Sequence, residues 1–240
     1  MSSISTQLES VRKRIDKACK DAGRYSNSVT LLAVSKTFGP EAVIEAVQAG
    51  QRDFGENYVQ EALGKISALR LWAQGQTQPP ELRWHCIGPL QSNKARAVAE
   101  HFDWVHSVDR LKIAQRLSDA RPADLPPLQV CLQVNIDGGP NKSGVSPQDA
   151  LALAEAVQSM PRLVLRGLMT IPEPTDDFSS ALLVHQRSQA LLEALNASGR
   201  LSRPLDTLSM GMSADLEAAI AAGSTLVRVG TAIFGRRDLA

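Results

Sequence analysis

The sequence predicts an α/β chain of the (β/α)8 TIM-type barrel class, a single barrel with an extra N-terminal helix. Three observations carry that expectation. Apolar, strand-like runs recur eight times, with helix-forming segments between most of them, and parallel strands require such crossovers. The 240 residues approach the roughly 250 common for one closed barrel. No GxGxxG follows the first strand, which counts against an open sheet of the dinucleotide-binding kind.

The extra helix comes first. Ile4, Leu8, Val11, Ile15 and Cys19 recur at spacings of three and four, forming one apolar stripe, and Gly23 suits its stop. Val29 to Val34 then reads as a buried strand, and "PEAVIEAVQAG" as a helix with Pro40 near its start and Gly50 at its end. Further strands are expected at Asp53 to Gly55, Trp84 to Ile87, Trp104 to Val108, Leu128 to Ile136, Leu163 to Met169, Asp206 to Ser209 and Leu226 to Val229. The helices between them include "SNKARAVAEHF", "DRLKIAQRLSDA", "SPQDALALAEAVQSM", "FSSALLVHQRSQALLEALNAS" and "SADLEAAIAAG". Several open with Ser, Asp or Pro and close near Gly. The Pro-rich polar stretches "AQGQTQPPEL", "RPADLPPL" and "IPEPTDD" read as surface connections, so residues 1–240 are expected to form one domain.

Composition narrows the function classes. Lys plus Arg number 26 against 25 Asp plus Glu, a net charge of +1, so no global basic field recruits nucleic acid or an anionic membrane. Cys19, Cys86 and Cys131 are odd in number and lack CxxC spacing, which speaks against a disulfide framework and a zinc site. The opening "MSSISTQLESVRKRIDKACK" has no apolar segment before a cleavage site, and no apolar run nears the roughly 18 residues of a membrane span. A cytoplasmic protein with reduced thiols is expected.

In this fold, function sits at the carboxyl ends of the strands. The residues there are Lys36, Glu56-Asn57-Tyr58, Gly88 to Lys94, Ser107 and Asp109, Asn135, Thr170, Ser209 to Ser213, and Gly230-Thr231. Barrels of this type often bind phosphate with the loops after strands seven and eight. Here "SMGMSADLEAAI" offers a glycine and Ser213 as N-cap, and "RVGTAIFG" offers Gly230 and Thr231. Each loop also reads as ordinary cap and turn chemistry, and Asp215 and Glu217 would oppose a phosphate set too close. Arg228 lies inside an apolar strand on the same face as Gly230, and a buried guanidinium needs an anion or an acceptor, from a ligand or from the protein. Lys36 follows strand one, which closes against strand eight, beside the proposed phosphate loops. Burial or a neighbouring cation lowers a lysine's pKa from near 10.4 and activates it toward an aldehyde; a strand-end lysine also serves as a solvated charge or a phosphate contact.

The segments "LLAVSKT", "FGENYVQE", "WHCIGPLQSNK", "HSVDR", "NKSG", "RGLM", "SMGMSADLEAAI" and "VRVGTAIFGRR" resemble, in order and almost end to end, the signatures of the YggS/PROSC family of pyridoxal phosphate homeostasis proteins. That family resembles the barrel half of alanine racemase without its second, β-rich domain. The resemblance implies that Lys36 carries pyridoxal 5'-phosphate as an internal aldimine. Ser213, Gly230 and Thr231 would hold the phosphate, Arg228 would face the pyridine nitrogen and Asn57 would lie beside the ring, with Ser209 and Met212 completing the cofactor-binding set. Lys142 in "NKSG" is a candidate for a secondary contact with the cofactor. Phe38 and Gly39 stand where some relatives carry a basic residue and another turn residue, so no auxiliary lysine is implied there.

The expected function is to hold pyridoxal phosphate and contribute to its intracellular homeostasis, by buffering or by delivery to apo-enzymes that use it. The expected form is a monomer, with no catalytic residue and no metal. The competing readings are a single-domain amino-acid racemase and a Schiff-base aldolase acting on a sugar phosphate. A racemase needs a second acid/base, and the only tyrosines are Tyr25 and Tyr58. An interaction module would rest on Arg236, Arg237 and "SNKAR", which read as solvated helix faces. His85 in "WHCIG" reads as a satisfied histidine near a strand end.

Overall fold

The computed structural model describes residues 3–139 and 142–235, and Arg236 and Arg237 lie outside them. Eight strands, β1 (Thr30–Val34), β2 (Asp53–Glu56), β3 (Arg83–Cys86), β4 (Trp104–Val108), β5 (Leu128–Gln133), β6 (Leu163–Met169), β7 (Thr207–Ser209) and β8 (Leu226–Val229), pair in sequence order. The sheet closes where Leu32 pairs with Arg228 and Ala33 with Val229, all strands parallel. Around it run α1 (Ile4–Asp21), α2 (Pro40–Gln48), α3 (Val59–Gln74), α4 (Ala95–His101), α5 (Leu111–Ala120), α6 (Ala150–Gln158), α7 (Phe178–Ala197), α8 (Leu216–Ala221) and α9 (Thr231–Phe234). The expected barrel and its extra helix are both present.

Helix α1 shows how pattern becomes packing. Ser3 caps it by accepting the Thr6 N–H at 3.2 Å, and the stripe Leu8, Val11, Ile15, Ala18 and Cys19 is buried. The helix packs against α2, α8 and α9, covering the seam where β1 meets β8. Two arginines pin it: Arg12 Nη1 donates to the Ala49 carbonyl at 2.9 Å, and Arg14 Nε to Glu217 at 2.8 Å.

Some boundaries move. β5 ends at Gln133 rather than Ile136, because Val134 continues only as an isolated bridge to Val145. β7 begins at Thr207, since Asp206 turns its carboxylate to Arg166 at 2.8 Å. α6 begins at Ala150, after a turn closed by Ser146 Oγ on Asp149. The expectation that Ser213 caps the next helix is corrected. Asp215 holds the N-cap position of α8, because its carboxylate accepts the Met212 N–H at 2.6 Å and keeps residues 213–215 in a turn. Helix α3 was not singled out from its sequence: its buried side is Ala62, Lys65, Ile66 and Leu69, and a lysine interrupts the apolar stripe.

The cysteines are free and buried, and burial pushes the Cys86 and Cys131 thiols up to about 12, so they stay protonated and inert. Among the described residues no helix is long and apolar enough to cross a membrane.

Candidate functional site

Lys36 sits half-buried in the turn that follows β1. The turn is strained at Thr37, whose φ of 70° is the only positive value at a described non-glycine residue. It is held from β2 and α3. Ser35 N–H donates to the Gly55 carbonyl at 3.1 Å, Ser35 Oγ to Glu56 Oε1 at 2.6 Å, and Thr37 N–H to Glu61 Oε1 at 2.6 Å. Lys65, only 3% exposed, spends its three N–H donors on the Ser35 carbonyl at 2.6 Å, Glu56 at 2.7 Å and Glu61 at 2.6 Å. Burial raises the Glu56 pKa, against the pull of Lys65 and Ser35, and its Oε2 is buried without a partner.

The loops after β7 and β8 come up beside this turn. A Cβ on Gly230 would lie 3.2 Å from the Val34 carbonyl oxygen, so the end of β8 runs hard against the end of β1. Phe38 stacks on Phe234 with centroids 5.3 Å apart, tying the lysine turn to α9, which begins at Thr231. Arg228 N–H donates to the Gly211 carbonyl at 3.0 Å, joining the loop after β7 to β8; Gly211 takes a φ of 92° that other residues rarely adopt. The two acids that threatened a phosphate are engaged elsewhere. Glu217 pairs with Arg14, and Asp215 with His185 at 2.9 Å and the Met212 N–H. Burial works against ionising Asp215, yet these partners hold its pKa below the usual range.

Arg228 is 5% exposed, and its guanidinium hydrogen bonds among the described residues go to carbonyls and a hydroxyl. Its Nη1 donates to the Ser209 carbonyl at 2.6 Å and Ser209 Oγ at 2.8 Å, and its Nη2 to the Thr170 carbonyl at 2.9 Å. Burial lowers its pKa to about 10, so it remains a cation at neutral pH. Ser209 is fully buried and its hydroxyl also meets His106 Nδ1 at 2.8 Å.

A cavity of about 330 Å³ opens at this mouth, lined by Asn57, Met212, Lys142, Ile87, Gln133 and others. Asn57 Oδ1 is buried and unpartnered, and Gly88 lets the Asn57 backbone approach so closely that a Cβ would sit 2.4 Å from its carbonyl oxygen. Lys142 is held by Asp137 at 2.5 Å and Glu173 at 3.2 Å. Ser213 offers its carbonyl to Arg14 Nη2 at 3.0 Å. Tyr25 and Tyr58 are 85% and 54% exposed, so neither tyrosine is enclosed in the barrel. His85 is indeed satisfied, between Asp53 at 3.1 Å and His106 at 3.0 Å.

The structure thus gathers Lys36, Gly230, Thr231, Arg228 and Ser209 in the sector of β1, β8 and β7, with Asn57, Met212 and Lys142 on the adjoining cavity. Sequence reasoning missed Lys65, Asp53 and His106. The two-residue alternation of β4 was a usable signal for His106; nothing in the local pattern marked the other two.

The family described as alanine racemase, N-terminal domain, matches residues 7–238. A pyridoxal phosphate homeostasis protein of Pseudomonas aeruginosa is 57% identical over 238 residues, 99% of this chain and 97% of that relative. This chain belongs to the pyridoxal phosphate homeostasis protein family. A solved structure of PipY from Synechococcus elongatus with PLP bound superposes with a TM-score of 0.82 at 36% identity, over 97% of this chain and all of PipY. Beyond the family, alanine racemase from Corynebacterium glutamicum shares the fold alone, with a TM-score of 0.65 at 18% identity over 97% of this chain and 63% of that one.

Proposed function

We propose that this chain holds pyridoxal 5'-phosphate reversibly through Lys36, as a cytoplasmic monomer that buffers the cofactor or hands it to apo-enzymes. The observation that carries this reading is Arg228, a buried cation set between the lysine turn and the loops after β7 and β8 whose guanidinium, among the described residues, is hydrogen-bonded by carbonyls and a hydroxyl. Three hydrogen bonds leave donor capacity on a guanidinium with five N–H groups, which suits a pyridine nitrogen. The unpartnered Asn57 Oδ1 and the close-packed Gly230 fit the same ligand, beside its ring and its phosphate. PipY, solved with PLP bound, supports the choice of cofactor.

When bound, the cofactor supplies an aldehyde and an electron-accepting ring. Lys36 would meet the aldehyde, Ser213, Gly230 and Thr231 would hold the phosphate, and Ser209 would fix Arg228; facing the ring nitrogen, a cation that keeps its proton would leave the ring a weak electron sink. Neither tyrosine is enclosed in the barrel to serve as a second acid/base, which favours holding and release over carbanion chemistry.

The test incubates the holo-protein with L-alanine in deuterated water, following α-proton exchange by NMR, while a parallel sample transfers cofactor to an apo-enzyme. Transfer with negligible exchange is expected. Exchange at roughly 1 to 1000 per second, lost in Lys36→Ala, overturns the carrier reading in favour of a racemase.

A further inference from the structure

A chain of buried hydrogen bonds runs through the barrel from Arg228 to the opposite mouth. Arg228 Nη1 meets Ser209 Oγ at 2.8 Å, Ser209 Oγ meets His106 Nδ1 at 2.8 Å, His106 Nε2 meets His85 Nδ1 at 3.0 Å, and His85 Nε2 meets Asp53 Oδ1 at 3.1 Å. All five side chains lie on strands, β8, β7, β4, β3 and β2, and all are buried. At its far end Asp53 also accepts two bonds from Arg83, both at 2.7 Å, and borders a cavity of about 300 Å³ shared with Arg166, Asp206 and Trp104. Trp104 stacks on His85 with centroids 5.4 Å apart, walling off the chain.

The proton positions follow by elimination. Burial opposes ionisation of Asp53, but bonds from His85 and Arg83 outweigh it and keep the group a carboxylate, which only accepts. His85 Nε2 therefore carries the proton. Burial keeps His85 neutral, so its Nδ1 accepts, and His106 Nε2 must donate. His106 is neutral as well, from burial and from its neighbours His85 and Arg228, so its Nδ1 accepts the Ser209 hydroxyl proton. Ser209 Oγ is left to accept from Arg228. Every dipole points the same way, from the arginine cation to the aspartate anion, and such chains polarise one another.

We propose that Asp53, at the far mouth of the barrel, is a positioning residue for the cofactor's ring nitrogen, acting through His85, His106 and Ser209 on Arg228. The inference rests on the reading of Arg228 given above. Asp215 is the carboxylate that acts on Arg228 directly through space; Asp53 reaches the arginine only through the hydrogen-bond chain, which fixes the orientation of its guanidinium.

The experiment has two readouts. In the cofactor-free chain, NMR of 15N-labelled histidine at pH 7 should show His85 and His106 neutral with the proton on Nε2; an Nδ1 proton on either overturns the chain. In the loaded protein, the pH titration of the Schiff-base absorbance is compared across variants, with urea denaturation confirming that each is folded. Absence of that absorbance in the unaltered protein rejects the cofactor reading itself and is separate from the NMR result. Asp53→Asn, which keeps an acceptor for His85 but removes the charge, should lower the imine's apparent pKa by roughly half a pH unit, since losing an anion disfavours the protonated imine. Asp206→Asn, on the same cavity but outside the chain, should leave it unchanged. In a Ser209→Ala background, where the Ser209 carbonyl still holds Arg228, Asp53→Asn should add nothing. An equal shift in both backgrounds, or the same shift from Asp206→Asn, assigns the effect to through-space charge and rejects the role of the chain.

Discussion

Lys65 donates to the main-chain carbonyl of Ser35 at 2.6 Å, so a buried ammonium on α3 fixes the residue immediately before Lys36. The same ammonium neutralises Glu56 and reaches Glu61, and Glu61 in turn takes the N–H of the strained Thr37. The lysine turn is therefore a preorganised element, whose unfavourable backbone angle is maintained by a charge cluster rather than by the turn sequence itself.

Lys65→Met is expected to destabilise the fold by about 3 kcal/mol, because it strands the buried Glu56 carboxyl. Adding Glu56→Gln should recover part of that loss, as removing both charges costs less than removing one. Urea denaturation of the single and double variants checks this; a single-variant loss under about 0.5 kcal/mol would mean that the cluster does not hold the turn.

Ser213→Ala and Thr231→Ala are expected to weaken binding of pyridoxal phosphate more than binding of unphosphorylated pyridoxal. Each removes a hydrogen bond to a charged acceptor, on the order of 1.5 to 3 kcal/mol. Titrations with both ligands read the difference, and equal losses would remove these hydroxyls from the phosphate site.

His106 predicts a pH dependence of stability. Its folded pKa lies well below the ordinary value because of burial, then His85 and Arg228, so below about pH 6.5 the unfolded chain binds a proton that the folded one refuses. Its stabilising contribution is complete above that value and declines as the pH falls. Between pH 7.5 and 5.5 the loss from this group is about 1.4 kcal/mol, and His85, shifted the same way by burial, adds to it. Urea denaturation at the two pH values should show the loss, with His106→Asn flattening it; an unchanged slope in that variant would place the titration elsewhere.

A closed sheet has no strand edge for a partner to extend, and a monomer is expected. Light scattering across a dilution series checks this. An obligate dimer at low concentration would contradict it and restore the comparison with racemases, whose site is shared between subunits.

Where local pattern sets structure, the sequence was legible. The stripe from Ile4 to Cys19 became α1, and the limits of β4, β6 and β8 match the apolar runs. The rim residues Lys36, Asn57, Gly230 and Thr231 could be placed because a parallel barrel presents its strand ends to one mouth. Illegible features depend on distant partners. Ser213 looked like a cap until Asp215 took the position through its bond to Met212. Nothing local in the sequence marks Lys65 as buried, and only the approach of Ser35, Glu56 and Glu61 makes its burial tolerable. His106 and Ser209 are 103 positions apart, and barrel closure alone makes them neighbours.

The most direct test of the central claim is to load the protein with pyridoxal phosphate, reduce it with borohydride and map the modified peptide by mass spectrometry. The account predicts one dominant adduct, on Lys36, absent in Lys36→Ala although some non-covalent ligand is retained through the phosphate loops. A dominant adduct on Lys65, Lys142 or any other lysine, or no adduct at all, would contradict it.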